Sequence, residues 1–300
     1  MDTLLLPTKR IGPAASPLRY PGGKAVLAGF FAEVLDGLDL ESPTYVEPFA
    51  GGVGAGVELL LNGRVASLVV NDIDAAVFSF WTMVLERTDE FVERVLETPL
   101  NLEEWGKQRE LYKMRDERDR LALGFAFFYL NRTNRSGVLN AGVIGGKAQT
   151  GKYLIDARFN RSQLADRIRA IGALRDQITV TDEDGKHVIT RYASDPNAFV
   201  YIDPPYVDMG GSLYLNAFDH RDHAELAATV NAAAAGNWVL TYDMSPVVIA
   251  EYASRHHWQY ELNYSGYRKQ KARELIVVSD PVARALERME QLRSTLTATA

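Results

Sequence analysis

Residues 44–74 constrain the fold more tightly than any other stretch. The run 44–47 reads as a short strand and opens into Pro48-Phe49-Ala50-Gly51-Gly52-Val53-Gly54-Ala55-Gly56, a turn whose glycines relax the backbone restrictions that side chains impose. A helix over 57–61 follows, then a buried strand over 67–70 that ends at Asn71-Asp72-Ile73-Asp74, with another helix starting near Ala75. Strand, Gly-rich turn, helix, strand and terminal acid, in this order, form the front half of a nucleotide-binding α/β unit. The glycines let the backbone come close to a ligand, and Asp72 stands where such units hold a pair of ribose hydroxyls. A purely structural role competes with this: a tight turn that binds nothing, and Asp72 as the cap of the next helix.

Around this unit the pattern changes twice. A helix over 24–38 precedes it, with Val26, Leu27, Phe30, Phe31, Val34, Leu35 and Leu38 at helical spacing. After it, 75–96 and 103–130 read as long helices with no strand between them, and the Gly- and Asn-rich stretch 131–152 favours loops or a hairpin. Alternation resumes with a helix over 161–174, strands over 178–180 and 199–202, a helix over 221–235, a strand over 238–242 and a helix over 246–252. Two strands near 258–264 and 274–278 close the pattern. These elements predict an α/β catalytic domain made of residues 17–82 and 176–280, interrupted by a helical and basic insertion at 83–175. Residues 1–16 then form a loose N-terminal arm, and 281–300 a C-terminal helix or tail. With 47% apolar and 24% charged residues, a chain of 300 residues can bury a sizeable core. No segment approaches the roughly 20 apolar residues of a membrane helix, and Leu4-Leu5-Leu6 is too short for a signal peptide, which predicts a cytoplasmic protein with no membrane partner.

The second informative feature is Phe199-Val200-Tyr201-Ile202-Asp203-Pro204-Pro205-Tyr206. An apolar strand here delivers an acid, two prolines and an aromatic to its C-terminal end, the edge at which open α/β sheets bind ligands. The prolines hold an extended backbone whose carbonyls are not spent on a helix. Cysteine is absent, which removes disulfides, thiolate metal sites and thiol nucleophiles. Net charge is −6, but residues 131–175 carry nine Lys or Arg against two Asp, a basic island on an acidic body that suggests a local polyanion contact. Asp219, His220, Asp222 and His223 have the residue types of a metal site, yet an Asp ahead of an Ala-rich helix is better explained as its N-cap with both histidines exposed; no metal site is assigned. Tyr242, at the end of a strand, reads as a packed aromatic that could line the pocket.

Asp203-Pro204-Pro205-Tyr206, Glu47-Pro48-Phe49-Ala50-Gly51-Gly52-Val53-Gly54 and Arg19-Tyr20-Pro21-Gly22-Gly23-Lys24 together resemble the Dam-like adenine-specific DNA methyltransferases, which use S-adenosylmethionine. Phe128-Tyr129-Leu130-Asn131-Arg132 and the tail over 268–278 match as well, in the same order, across roughly 18–280. The resemblance implies a Rossmann-like sheet with the insertion serving target recognition, and double-stranded DNA as partner. It implies that Tyr20, Lys24, Glu47, Pro48, Phe49, Gly51, Asp72 and Asp203 line the cofactor site. Catalysis falls to Asp203, Pro204, Pro205 and Tyr206. An exocyclic amine conjugated to a purine is a poor nucleophile; accepting its N–H bonds at the Asp203 carboxylate and the Pro204 carbonyl would localise the lone pair toward the sulfonium methyl. Stacking on Tyr206 would hold the flipped base.

For DNA contact the candidates are Asn131, Arg132, Asn134, Arg135 and Lys147 in the island, and Arg268, Lys269 and Lys271 between the last two strands. Helix capping and turn formation for the first group, and a solvated hairpin tip for the second, are the structural alternatives. Two departures stand out: Tyr20 where the family commonly has Trp, and Asp184-Gly185 where it often has Asp-Phe beside the cofactor adenine, which predicts a differently built adenine pocket. The missing cysteine excludes methylation at cytosine C5, which needs a covalent thiolate. Methylation of the cytosine amine or of RNA adenine uses the same geometry, so only the resemblance favours adenine in DNA; a catalytically silent DNA-binding protein of this fold is the other alternative. The family's setting is a bacterial or phage modification enzyme, a monomer or weak dimer that can be paired with a cognate restriction endonuclease.

Overall fold

The computed structural model describes residues 2–4, 6, 8–19, 24–207, 218–265 and 269–298, with backbone alone at 262–265, 269–272 and 290–298. Five parallel strands, β1 (Thr44–Glu47), β2 (Ser67–Asn71), β3 (Ile178–Thr181), β4 (Ala198–Ile202) and β5 (Asn237–Asp243), lie in the order β3-β2-β1-β4-β5. The antiparallel pair β6 (His256–Ser265) and β7 (Lys269–Val278) completes the sheet, with β7 inserted between β5 and β6. This is the Rossmann-like α/β sheet expected from the sequence. Chain order reverses between β1 and β4, so the crevice of the sheet opens at their C-terminal ends.

The central strands β1, β2, β4 and β5 form because each is a short, mostly apolar run covered on both faces. Tyr45, Leu68, Phe199, Tyr201, Ile276 and Val278 face one hydrophobic core; Val46, Val69, Val200, Ile202, Leu275 and Val277 face the other. The first core is covered by α1 (Ala28–Leu38), α2 (Gly54–Leu61), α3 (Ala75–Glu86), α4 (Thr88–Glu97), α5 (Leu102–Met114), α6 (Arg120–Thr133) and α7 (Arg161–Gly172). The second is covered by α8 (Gly185–Tyr192), α9 (His220–Ala232) and α10 (Pro246–Glu251), while α11 (Asp280–Ala298) returns to the first and packs on α1.

Two expectations differ from the structure, and the packing of residues 83–175 adds a feature the sequence did not announce. The two long helices are four: Arg87 leaves helical geometry between α3 and α4, and a left-handed Arg115 ends α5 before Asp119 caps α6 by accepting from the Ala122 amide. The insertion has no core of its own. Every residue from Leu123 to Asn131 is buried, and Phe80, Phe91, Phe125, Phe128 and Phe159 interlock in the cluster that also holds Phe31 and Phe199. The N-terminal arm is not loose either. Thr3 bridges to Gln259 on the outer edge of β6, the Leu4 amide donates to the Gln259 carbonyl at 2.8 Å, and Arg10 is anchored to the fully buried Glu58 of α2. No helix among the described residues is long and apolar enough to cross a membrane.

Candidate active site at the β1/β4 crevice

The Gly-rich turn leaves β1 with Gly51 and Val53 both at positive φ, 46° and 44°, and is tied to the end of β2. The Gly51 amide donates to Asp72 Oδ2 at 2.9 Å, the Asp74 amide to Asp72 Oδ1 at 2.9 Å, and Trp81 Nε1 to the Gly51 carbonyl at 2.9 Å. Asp74, not Asp72, caps α3. Burial pushes the Asp72 carboxyl up to about 6, against the pull of these amides. Asn71, unnoticed in the sequence, clasps the turn to the end of β3 by donating to the carbonyls of Pro48 and Glu183 and accepting from the Glu183 amide. Gly185 resolves one departure noted above: a Cβ there would lie 2.6 Å from the Phe49 ring, so the glycine makes room for that ring at the crevice wall.

Beside this turn, Asp203 leaves β4 on the same pleat side as Tyr201. Its Oδ1 accepts from Thr241 Oγ1 at 2.9 Å and from the Tyr206 hydroxyl at 3.4 Å, and Lys24 Nζ lies 3.3 Å from each carboxylate oxygen. Lys24 opens a single 3-10 turn, Lys24–Leu27, ahead of α1; its ammonium also donates to the Tyr206 hydroxyl at 2.6 Å and lies 3.4 Å from Glu274 Oε2. Burial alone would lower the Lys24 ammonium, but the charges of Asp203 and Glu274 outweigh it and hold the group above its usual range. Asp203 is raised, chiefly by burial and against the Lys24 charge. Pro204 is buried, Pro205 and Tyr206 are half-buried, and the Tyr206 ring lies 6.1 Å from that of Tyr242. Thr241, Glu274 and Tyr260 were not anticipated as site residues; the one sequence signal for Glu274 is an acid interrupting the apolar run of a closing strand.

Glu47 ends β1 wholly buried, accepting from the Gly56 amide at 3.3 Å. Burial first, and then the Asp203 charge, push its carboxyl up to about 8, which favours the protonated form. A folded-state value above the unfolded one contributes stability that is complete below about pH 4.5 and is lost as pH rises toward 8. Glu47→Gln should flatten that decline between pH 5 and 8 in melting-temperature profiles; parallel profiles for both proteins would count against a protonated Glu47.

The structure divides the DNA candidates. Asn131 and Asn134 are buried and occupied: Asn131 exchanges hydrogen bonds with both backbone groups of Arg19, at 2.7 and 2.8 Å, and Asn134 accepts from Trp105 Nε1 while donating to the Val138 and Leu139 carbonyls. They fix Arg19 and the loop at 137–139 and offer no face to a base. Arg132 is half-buried, donates to the Arg158 carbonyl, and is lowered to about 9 by burial and by the neighbouring Arg19, Arg167 and Arg158 charges. Arg135 and Lys147 are exposed. Lys269 and Lys271 lie in β7 opposite Ser265 and Asn263; Tyr20 and Arg268 lie outside the described residues. Asp219 caps α9 in a full capping box with His220 exposed, but His223, expected to be exposed, is buried against the Tyr242 hydroxyl.

The profile of the D12 class N6 adenine-specific DNA methyltransferases matches residues 20–265. The chain belongs to this family. The methyltransferase therefore acts on the N6 amine of adenine in DNA, which decides between adenine and the cytosine and RNA alternatives left open by the chemistry. A search of curated proteins returned no match. Among solved structures, one of a Pyrococcus horikoshii protein provisionally described as an RNA methyltransferase is similar, with 13% identity, a TM-score of 0.37, and coverage of 87% of this chain and 84% of that one.

Proposed function

We propose that the methyl donor is S-adenosylmethionine, held over the Gly-rich turn, and that Asp203, Pro204 and Tyr206 receive the flipped adenine beside it. The observation that carries this reading is the meeting of the Gly-rich turn and the Asp203 motif at the ends of two adjacent strands, β1 and β4, where chain order reverses. The residues fit such a donor. Each Asp72 oxygen accepts one backbone amide, which leaves lone pairs for hydroxyl donors, and the half-buried Phe49 ring against Gly185 offers a flat apolar wall to a purine.

When bound, the sulfonium supplies an electrophilic methyl group. The chain's own work is orientation: the Asp203 carboxylate and the Pro204 carbonyl accept the amine N–H bonds, and Tyr206 stacks on the base. The exposed Arg135, Lys147 and Arg158 contact phosphates in this reading, joined by Arg268, Lys269 and Lys271, and residues 83–175 serve target recognition. The test is transfer of labelled methyl from S-adenosylmethionine to mixed-sequence duplex DNA, followed by digestion to nucleosides. Label in N6-methyladenine is expected; label in N4-methylcytosine, or none in DNA, would overturn it.

A further inference from the structure

The Lys24 ammonium is shared between two carboxylates that differ in outlook. It lies 3.3 Å from Asp203 and 3.4 Å from Glu274; the Asp203 side chain is 26% exposed, whereas that of Glu274 is 2% exposed. Glu274 reaches this place because β7 runs antiparallel beside β5. It pairs with Asp243 across that seam and shares a pleat side with Ile276 and Val278, on the face where the turn carrying Lys24 packs. Tyr260, directly opposite on β6, donates its hydroxyl to Glu274 Oε2 at 2.5 Å and keeps that oxygen aimed.

We propose that Glu274 is a positioning residue for methyl transfer, holding the Lys24 ammonium at the moment Asp203 releases that cation to accept the N–H bonds of the adenine amine. This rests on the reading that Asp203 receives the amine. While Lys24 sits 3.3 Å from both of its oxygens, Asp203 is the weaker acceptor for the amine because the cation draws on the same charge, and a buried ammonium released with no anion beside it is strongly unfavourable. With Glu274 in place, the cation shifts by a fraction of an ångström between two partners already in reach, and no buried charge is left unpaired. Thr241 stays on Asp203 Oδ1 throughout. Without the Glu274 charge, Asp203 is the carboxylate to which Lys24 remains bound among the described residues, and it accepts the amine less strongly.

The test uses single-turnover methyl transfer from S-adenosylmethionine to duplex DNA, with donor KM, DNA Kd and melting temperature measured alongside. Glu274→Gln is expected to lower the transfer rate by about 10- to 100-fold, with donor KM and DNA Kd changed less than about twofold, and Tyr260→Phe to lower it by less. Glu274→Asp, which keeps the charge, should lie nearer the wild type than Glu274→Gln and carries the test if the glutamine variant fails to fold. In a Lys24→Met background, Glu274→Gln should cause no further loss, because its effect passes through the ammonium. Losses that multiply in the double variant, or a loss that appears only in donor KM or DNA Kd, would overturn the proposal. Full transfer by Asp203→Ala would instead overturn the reading of the site on which it rests.

Discussion

Asp203→Ala should lower methyl transfer by on the order of 10³-fold or more while leaving the melting temperature unchanged or slightly raised. The two effects separate because Asp203 is poorly placed for stability and well placed for chemistry. Burial works against its charge, and its neighbours have other partners: Lys24 keeps Glu274 and the Tyr206 hydroxyl, and Thr241 keeps the Tyr201 hydroxyl at 2.7 Å. Removal therefore leaves no orphaned charge in the core. The same reasoning distinguishes Asp203→Asn, which retains the shape but loses the carboxylate, and which should transfer little better than alanine. Single-turnover transfer and thermal unfolding measured together check both halves; activity within tenfold of the wild type would remove Asp203 from the reaction.

Glu58→Ala should be the most destabilising substitution in the molecule outside the aromatic core, by about 3–5 kcal/mol, or a melting temperature lower by on the order of 10 °C. Glu58 is fully buried in α2 and accepts from Arg10 Nε and Nη2 at 2.8 and 2.6 Å and from the Ile11 and Gly12 amides at 2.5 and 2.8 Å. Its removal leaves two amides without their acceptor, leaves Arg10 with the Pro13 carbonyl at 3.1 Å, and frees the arm from α2. Arg10→Ala leaves the carboxylate with the two amides on Oε1 but removes both donors from Oε2, and should cost less. Chemical denaturation decides the matter: a change below about 1 kcal/mol in both variants would mean that water replaces these bonds without penalty.

The elements that the sequence made legible are those set by local pattern. The Gly-rich turn, the strand ending at Asp203 and the turn of helix beginning at Lys24 all stand where spacing and residue type placed them. What escaped depends on contacts between distant residues. Asn131 and Asn134 have the side chains of base readers, and only the proximity of Arg19 and Trp105 turns them inward. The division of the long helices rests on single backbone conformations at Arg87 and Arg115, residues with no breaker signature. Helix α8 was not anticipated because it begins at Asp184-Gly185, which resembles a turn. Glu274 read only as an acid at the start of a closing strand until the antiparallel seam with β5 set it against Lys24.

That seam also bears on how the molecule comes into being. β7 follows every other described strand in chain order, yet it is an interior strand of the sheet, flanked by β5 and β6. Residues 24, 203, 241 and 274 all contribute to one hydrogen-bonded cluster, so the site draws on contacts spanning most of the chain. A nascent chain that has completed β1 to β6 already possesses the turn and the Asp203 motif but lacks the strand that seats Glu274. Until β7 is seated, the Lys24 ammonium lacks one of the two carboxylates that hold it, so the last refinement of the site waits on the strand that reaches it across the greatest span of chain.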